Sequence, residues 1–255
     1  MKRTLALIGI ALIAGSFASQ QGYFSYTDAK KSLTLRAKEF SQTTLPGEVY
    51  RFEFSTPGGQ VYVASKTQGI EIYAPRVEVD AVRFLSKDMN LIRAASASGG
   101  VRAIRSVRDM KTEMRGATAK YQATNPATLN VSGPVTLASF KGDRASFEAA
   151  GSSLTADLGG PRSSTPFQTA VLSGPVRIKI RQAAQGSRAP TDMNVSARRL
   201  LVNMAVKPNT VTLTGNVHIA GLAGGGTVES ALAEVVLYLD DKGEVVKTSG
   251  SGGGQ

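Results

Sequence analysis

Apolar residues recur along this 255-residue chain with a period of two. Tyr50, Phe52 and Phe54 alternate with Arg51 and Glu53. Val61 and Val63 follow a Pro57-Gly58-Gly59 turn, and Ile70 and Ile72 lead into residues 74–79. Residues 117–121, 143–147, 197–202 and 233–239 read as further short strands. Period-two alternation predicts strands with one buried and one solvated face. Many such strands at regular spacing, with turn residues between them, predict an all-β chain. Residues 102–115 stand apart: Ile104, Val107, Met110 and Met114 fall at near-helical spacing and predict a short helix or lid. Residues 159–166 and 183–192 read as loops, and Asp240-Asp241-Lys242-Gly243 as a hairpin turn. Residues 248–255 form a Ser/Gly tail expected to be flexible.

Three segments share one pattern, apolar-x-Leu/Val-Ser/Thr-Gly-Pro/Asn-Val-x-Leu/Ile. They are Leu129 to Leu137, Ala170 to Ile178 and Val211 to Ile219. Their central residues, Gly133, Gly174 and Gly215, are spaced by 41 residues twice, and a weaker copy lies at Ala97 to Ala103. A Gly inside a strand marks a bulge, a bend or a close backbone approach. Pro134 and Pro175 cannot donate a ladder hydrogen bond, yet the apolar parity continues past them. The motif therefore predicts a kinked strand that turns a corner.

Composition narrows the chemistry. The chain has no Cys and one His, which excludes thiol nucleophiles, disulfides and multi-His metal sites. His218 falls on the outward parity with no nucleophile or acid motif around it, and reads as a surface histidine. Gly224-Gly225-Gly226 lacks the Lys-Ser/Thr of a phosphate loop. No enzyme activity and no cofactor is expected.

Residues 1–18 read as a secretory signal peptide. Lys2 and Arg3 precede an uncharged apolar stretch from Leu5 to Ala14, and Ser16-Phe17-Ala18 supplies small residues for cleavage. The alternative is a retained inner-membrane anchor facing the periplasm. Without residues 1–18 the formal net charge falls from +11 to +9. The polyanions an exported basic chain meets are lipid phosphates, acidic glycans and the membrane surface rather than nucleic acid. Residues 19–30 read as a linker and 31–247 as one β domain.

The unit Ala-x-Arg/Lys-x-apolar, a turn, then Leu-x-Val-Ser-Gly-x-Val-x-Leu resembles the OstA-like (LptA/LptC-like) lipopolysaccharide-transport family. The matching segments are Ala119-Lys120-Tyr121 through Gly133-Pro134-Val135, and Val211 through Val217. The resemblance implies an open, twisted β-jellyroll, or β-taco, of repeated antiparallel strands. It implies a periplasmic role in lipopolysaccharide transport to the outer membrane, with acyl chains shielded in a hydrophobic groove. Its partners would be lipopolysaccharide or a related anionic lipid, other jellyroll proteins of a transport bridge, and further copies added head to tail.

On that reading the lipid-binding face is Phe52, Phe54, Val131, Val135, Leu172, Val176, Ile178, Leu213, Val217 and Ile219. Alternation by itself favours a dry sandwich core for these residues; the resemblance is what favours a groove. Arg177, Lys179 and Arg181 form an outward stripe suited to lipid phosphates, or to water. Arg102, Arg105, Arg108, Lys111 and Arg115 form a second basic stretch. A structural or adhesive β-repeat envelope protein without lipid cargo is the alternative function.

Overall fold

β-branched and small residues in alternation, punctuated by Gly and Pro, leave the backbone to pair between strands rather than within helices. A computed structural model of the chain describes residues 16–20, 23–27, 33–47, 49–65, 70–82, 92–107, 110–141, 144–158, 167–182, 189–223, 225–239 and 245–252. Among these residues there is no helix, and the strands pair antiparallel throughout. The fold is all-β, of the open, twisted taco or jellyroll kind. By internal contacts the chain divides into two compact units, residues 1–106 and 107–255, within what the sequence suggests as one domain over 31–247.

Unit 1 holds β1 (Ser16–Gln20), β2 (Tyr23–Thr27), β3 (Leu33–Ala37), β4 (Glu39–Leu45), β5 (Val49–Ser55), β6 (Val61–Ser65), β7 (Ile70–Ala74), β8 (Arg76–Val82) and β9 (Ile92–Val107). β2 lies inside the segment expected to be a linker. It pairs with β1 and β3, and residues 1–15 of the expected signal segment lie outside the described residues. The remaining strands form a folded meander. β4 pairs with β5 and β3 with β6; β5 pairs with β8 and β6 with β7; β8 and β7 pair with successive halves of β9. Each long strand is thus broken once, at Lys38, at residues 56–60 and at Pro75, and β9 bends at Gly99 and Gly100, both with positive φ. The Pro57-Gly58-Gly59 turn is present at the second break, closed by Gly59 N–H donating to the Thr56 carbonyl at 2.9 Å.

Unit 2 is a meander in chain order: β10 (Met110–Gln122), β11 (Thr128–Lys141), β12 (Arg144–Leu158), β13 (Phe167–Gln182), β14 (Thr191–Asn203), β15 (Asn209–Ala223), β16 (Gly226–Leu239) and β17 (Val245–Ser251). No ladder among the described residues joins β17 to β10, so the sheet of this unit stays open. Every ladder from β10–β11 to β15–β16 carries a register shift at the same level. Those shifts fall at Gly133-Pro134, Gly174-Pro175 and Gly215-Asn216 and at their cross-strand neighbours, so the motif strands kink as the sequence predicts. The three glycines have φ of +89°, +97° and +81°. The 41-residue period is a pair of strands, with the left-handed glycine on every second one.

Residues 102–107 and 110–115 are strand, not helix. They lie in β9 of unit 1 and β10 of unit 2, with Ile104 and Met114 buried in their separate units. The near-helical spacing takes its residues from two separate strands. The Ser/Gly tail also departs from expectation. Thr248 to Ser251 continue β17 and pair with Leu237 to Glu234, because the β16 edge offers backbone partners and small residues meet no steric obstacle there. Residues 159–166, 183–188 and 240–243 lie outside the described residues, and Thr191 already begins β14.

Candidate functional site

The inner face of unit 2 is built by register. Before the crease, Val131, Leu154, Leu172, Leu200, Leu213 and Val235 stand opposite one another on six consecutive strands. After it, Ala149, Ile178, Val195 and Ile219 form a second row on four strands, flanked by Val135, Val176 and Val217 at the crease. Both rows are aliphatic. Of the residues predicted to face lipid, Val131, Val135, Leu172, Val176, Ile178, Leu213 and Val217 are buried, with Val217 at 0% exposure, and Ile219 is half-buried. Burying each Val or Leu contributes roughly 1.5–3 kcal/mol to the fold.

Phe52 and Phe54 belong to unit 1, so the ten predicted residues do not form one surface within either unit. There they join an aromatic cluster. Phe40 packs on Phe24 at 5.0 Å, on Phe54 at 5.3 Å and on Phe52 at 6.1 Å between ring centroids. Phe54 is buried and Phe52 half-buried, while Phe40 on β4 is 40% exposed. On the opposite parity Arg51 grips Asp80 with two hydrogen bonds of 2.8 Å, which holds the Asp80 carboxyl below its usual range. Tyr73 donates to Glu71 at 2.8 Å; that bond, with partial burial, pushes its phenol up to about 12.

Cover over the inner face thins toward the C-terminal end of unit 2. β17 pairs only with Glu234 to Leu239 of β16, so Gly226 to Leu232 have no described partner beyond β15. Along the second row, Ile178 and Val195 are each 5% exposed, while Ile219 and the neighbouring Leu232 are half-buried.

The outer face of the same wall gathers polar residues. Arg115, Thr136, Ala150, Arg177, Ser196 and His218 are cross-strand partners in one row from β10 to β15. Glu113, Ala138, Glu148, Lys179, Asn194 and Ala220 form the next row. Together they line a depression of about 610 Å³. Arg177 is exposed and Lys179 half-buried, as an outward parity requires. Arg181 stands outside the depression and lies 3.6 Å from Glu148.

The second basic stretch does not form one stripe. Arg102 sits over the Tyr73 ring in unit 1, Lys111 over the Phe140 ring in unit 2, and Arg108 lies outside the described residues. Sequence reasoning did not bring Arg115, Glu148, Asn194 or His218 to the depression. One signal was available: Thr136, Arg177 and His218 each stand three residues past the motif Gly, and the repeat aligns them. Among the described residues no group of three or more His, Asp or Glu side chains is placed to hold a metal ion, and no helix is long and apolar enough to cross a membrane.

No protein-family model matches the chain, and neither does any curated protein or solved structure.

Proposed function

We propose that the chain binds an acyl-chain lipid on the inner face of unit 2 and takes part in carrying lipopolysaccharide, or a related anionic lipid, across the periplasm to the outer membrane. The observation that carries this reading is the aliphatic inner face of an open creased sheet, losing its cover at the Ile219 and Leu232 edge. Acyl burial is worth about 0.8 kcal/mol per CH₂. A chain entering beside Ile219 would extend the apolar row already made by Ile178 and Val195, with no specific polar contact required. The half of β16 without a described partner beyond β15 also presents backbone donors and acceptors. There a second copy, or another jellyroll of a transport bridge, would add a strand head to tail. Export through a cleavable signal over residues 1–18 belongs to the same reading.

A second reading has its own support. Val131, Val135, Val176 and Val217 are at most 2% exposed, as in the dry core of a structural or adhesive β-repeat protein. A photo-crosslinking residue separates the two. Placed at Ile219 or Val217 in protein kept in its native envelope, it should yield adducts bearing acyl chains by mass spectrometry; placed at Arg177 it should not. Equal acyl capture at both parities, or none at Ile219 in protein shown to be folded, would sink the lipid reading.

A further inference from the structure

We infer that the outer face of unit 2 carries a separate binding site, the depression between Arg115, Arg177, Lys179 and His218, and that its ligand is an acidic oligosaccharide. This inference does not rest on the lipid reading, because the two faces of the wall are divided by the sheet itself. Arg177 and Ile178 are adjacent residues that point to opposite sides. Arg177 lies on β13, three strands from the uncovered half of β16, or about 14 Å at the usual strand spacing. A lipid whose chains lie against Ile178 therefore cannot set its phosphates on Arg177. The anion that Arg177 and Lys179 are built to meet belongs to a different molecule.

Charge narrows what that molecule is. Glu113 is buried and accepts a 2.7 Å bond from Arg115 Nε. Glu148 lies 3.6 Å from Arg181, and Glu229 lies 3.7 Å from His218 Nε2. Arg177 and Lys179 make no ion pair among the described residues. The wall thus offers two unmatched cations beside carboxylates and the amide of Asn194. A bare polyphosphate would meet Glu148 and Glu113 unfavourably. A sugar acid carries a single charge per ring with donors between the charges: its carboxylate suits the Arg177 guanidinium, and its hydroxyls can donate to Glu148 and Asn194.

Shape points the same way. Thr136, Ala150 and Ser196 in one row, and Ala138 and Ala220 in the next, keep the floor low between the long side chains. Three strand spacings separate Arg115 from Arg177 and two separate Arg177 from His218, about 14 and 10 Å. The result is a trough across the strands that fits an extended chain better than a single ion. The alanines and the Phe140 ring give it apolar contacts for the C–H faces of sugar rings.

The test is calorimetric titration of the full chain in 0.15 M salt, where loose surface attraction is screened. The probes are oligogalacturonate, a neutral malto-oligosaccharide of equal length, inorganic polyphosphate and phosphatidylglycerol vesicles. Saturable binding of oligogalacturonate, clearly above the other three, is expected. Arg177→Ala and Lys179→Ala should each weaken it about tenfold. Arg177→Lys should weaken it less, and Arg181→Ala should change it by less than about twofold. Absence of oligogalacturonate binding would overturn the site. So would equal binding of polyphosphate or of the neutral sugar, binding of the vesicles alone, or an unchanged Arg177→Ala in protein of unaltered thermal midpoint.

Discussion

Both units fold long antiparallel strands across a crease, but unit 1 interrupts its strands there, β9 excepted, whereas unit 2 keeps them continuous. In unit 1 the breaks at Lys38, Thr56–Gln60 and Pro75 are held together by hydrogen bonds that stand in for the ladder. Lys38 N–H donates to the Ser55 carbonyl at 3.0 Å and to Thr56 Oγ1 at 3.2 Å, and Thr56 N–H donates to the Pro75 carbonyl at 3.0 Å. Thr56 is 1% exposed, so its hydroxyl is a buried polar group that must be satisfied. In unit 2 the crease is made by bulges, and close packing across neighbouring strands replaces turn chemistry. A Cβ added to Gly174 would meet the Ser152 Cβ at 2.7 Å and its backbone nitrogen at 3.1 Å. Unit 1 is crowded at one such position, where a Cβ on Gly99 would meet the Pro75 ring at 3.0 Å, whereas the 41-residue motif repeats the crowding in unit 2 at Gly133, Gly174 and Gly215.

The sharpest way to break this comparison is to put a methyl group at each crease. Gly100 in unit 1 and Gly174 in unit 2 have nearly the same φ, +99° and +97°, but nothing lies within 4 Å of a Cβ at Gly100. Gly100→Ala should cost only the left-handed strain, about 1–2 kcal/mol. Gly174→Ala adds a backbone clash and should cost about 3 kcal/mol or more. Urea denaturation of the two variants reads the difference directly. Equal losses would mean that the unit 2 crease is not crowded.

A smaller effect tests the repeat itself. Where the first two copies have Pro134 and Pro175, the third has Asn216, at φ +53°. Proline cannot adopt that angle, and asparagine is among the few side chains that do so at modest cost. The third crease is therefore a different bulge from the other two. Asn216→Pro, which would perfect the motif, should destabilise by about 2–3 kcal/mol, while Asn216→Gly should lie within about 1 kcal/mol of the parent. A stabilising proline would show that all three creases share one geometry.

The parity of the strands, the kink at each Gly and the turn at Pro57-Gly58-Gly59 were legible because each is a local property of a few residues. Residues 102–115 were not, since Ile104 and Met114 serve different units and a spacing counted over two separate strands has no meaning. The Ser/Gly tail has no pattern of its own; it pairs through Ser251 because β16 supplies the partner groups. The outer depression lay beyond reach for a related reason. Arg177 and His218 share a motif position, but Arg115 and Glu148 come from strands that lack the motif, and register alone brings them alongside.

The smallest expected effect comes from two titrating groups of unit 1. Asp80 is held below the usual carboxylate range because Arg51 donates to it, so folded unit 1 binds fewer protons than the unfolded chain in mild acid. Its contribution is present above the ordinary Asp value of about 3.9 and is lost as pH falls through the depressed value. Tyr73 works at the other end. Its phenol donates to Glu71 and is raised to about 12, so its contribution is present below the ordinary value of about 10 and is lost as pH rises through 12. Arg51 is 39% exposed, so solvent screens the pair and the acid effect is modest. Urea midpoints measured from pH 2 to 12 should fall at both ends. Asp80→Asn should flatten only the acid limb, and Tyr73→Phe only the alkaline one. An acid limb unchanged in Asp80→Asn would assign that sensitivity to carboxylates other than Asp80, and would remove the Arg51 pair from what holds β5 to β8.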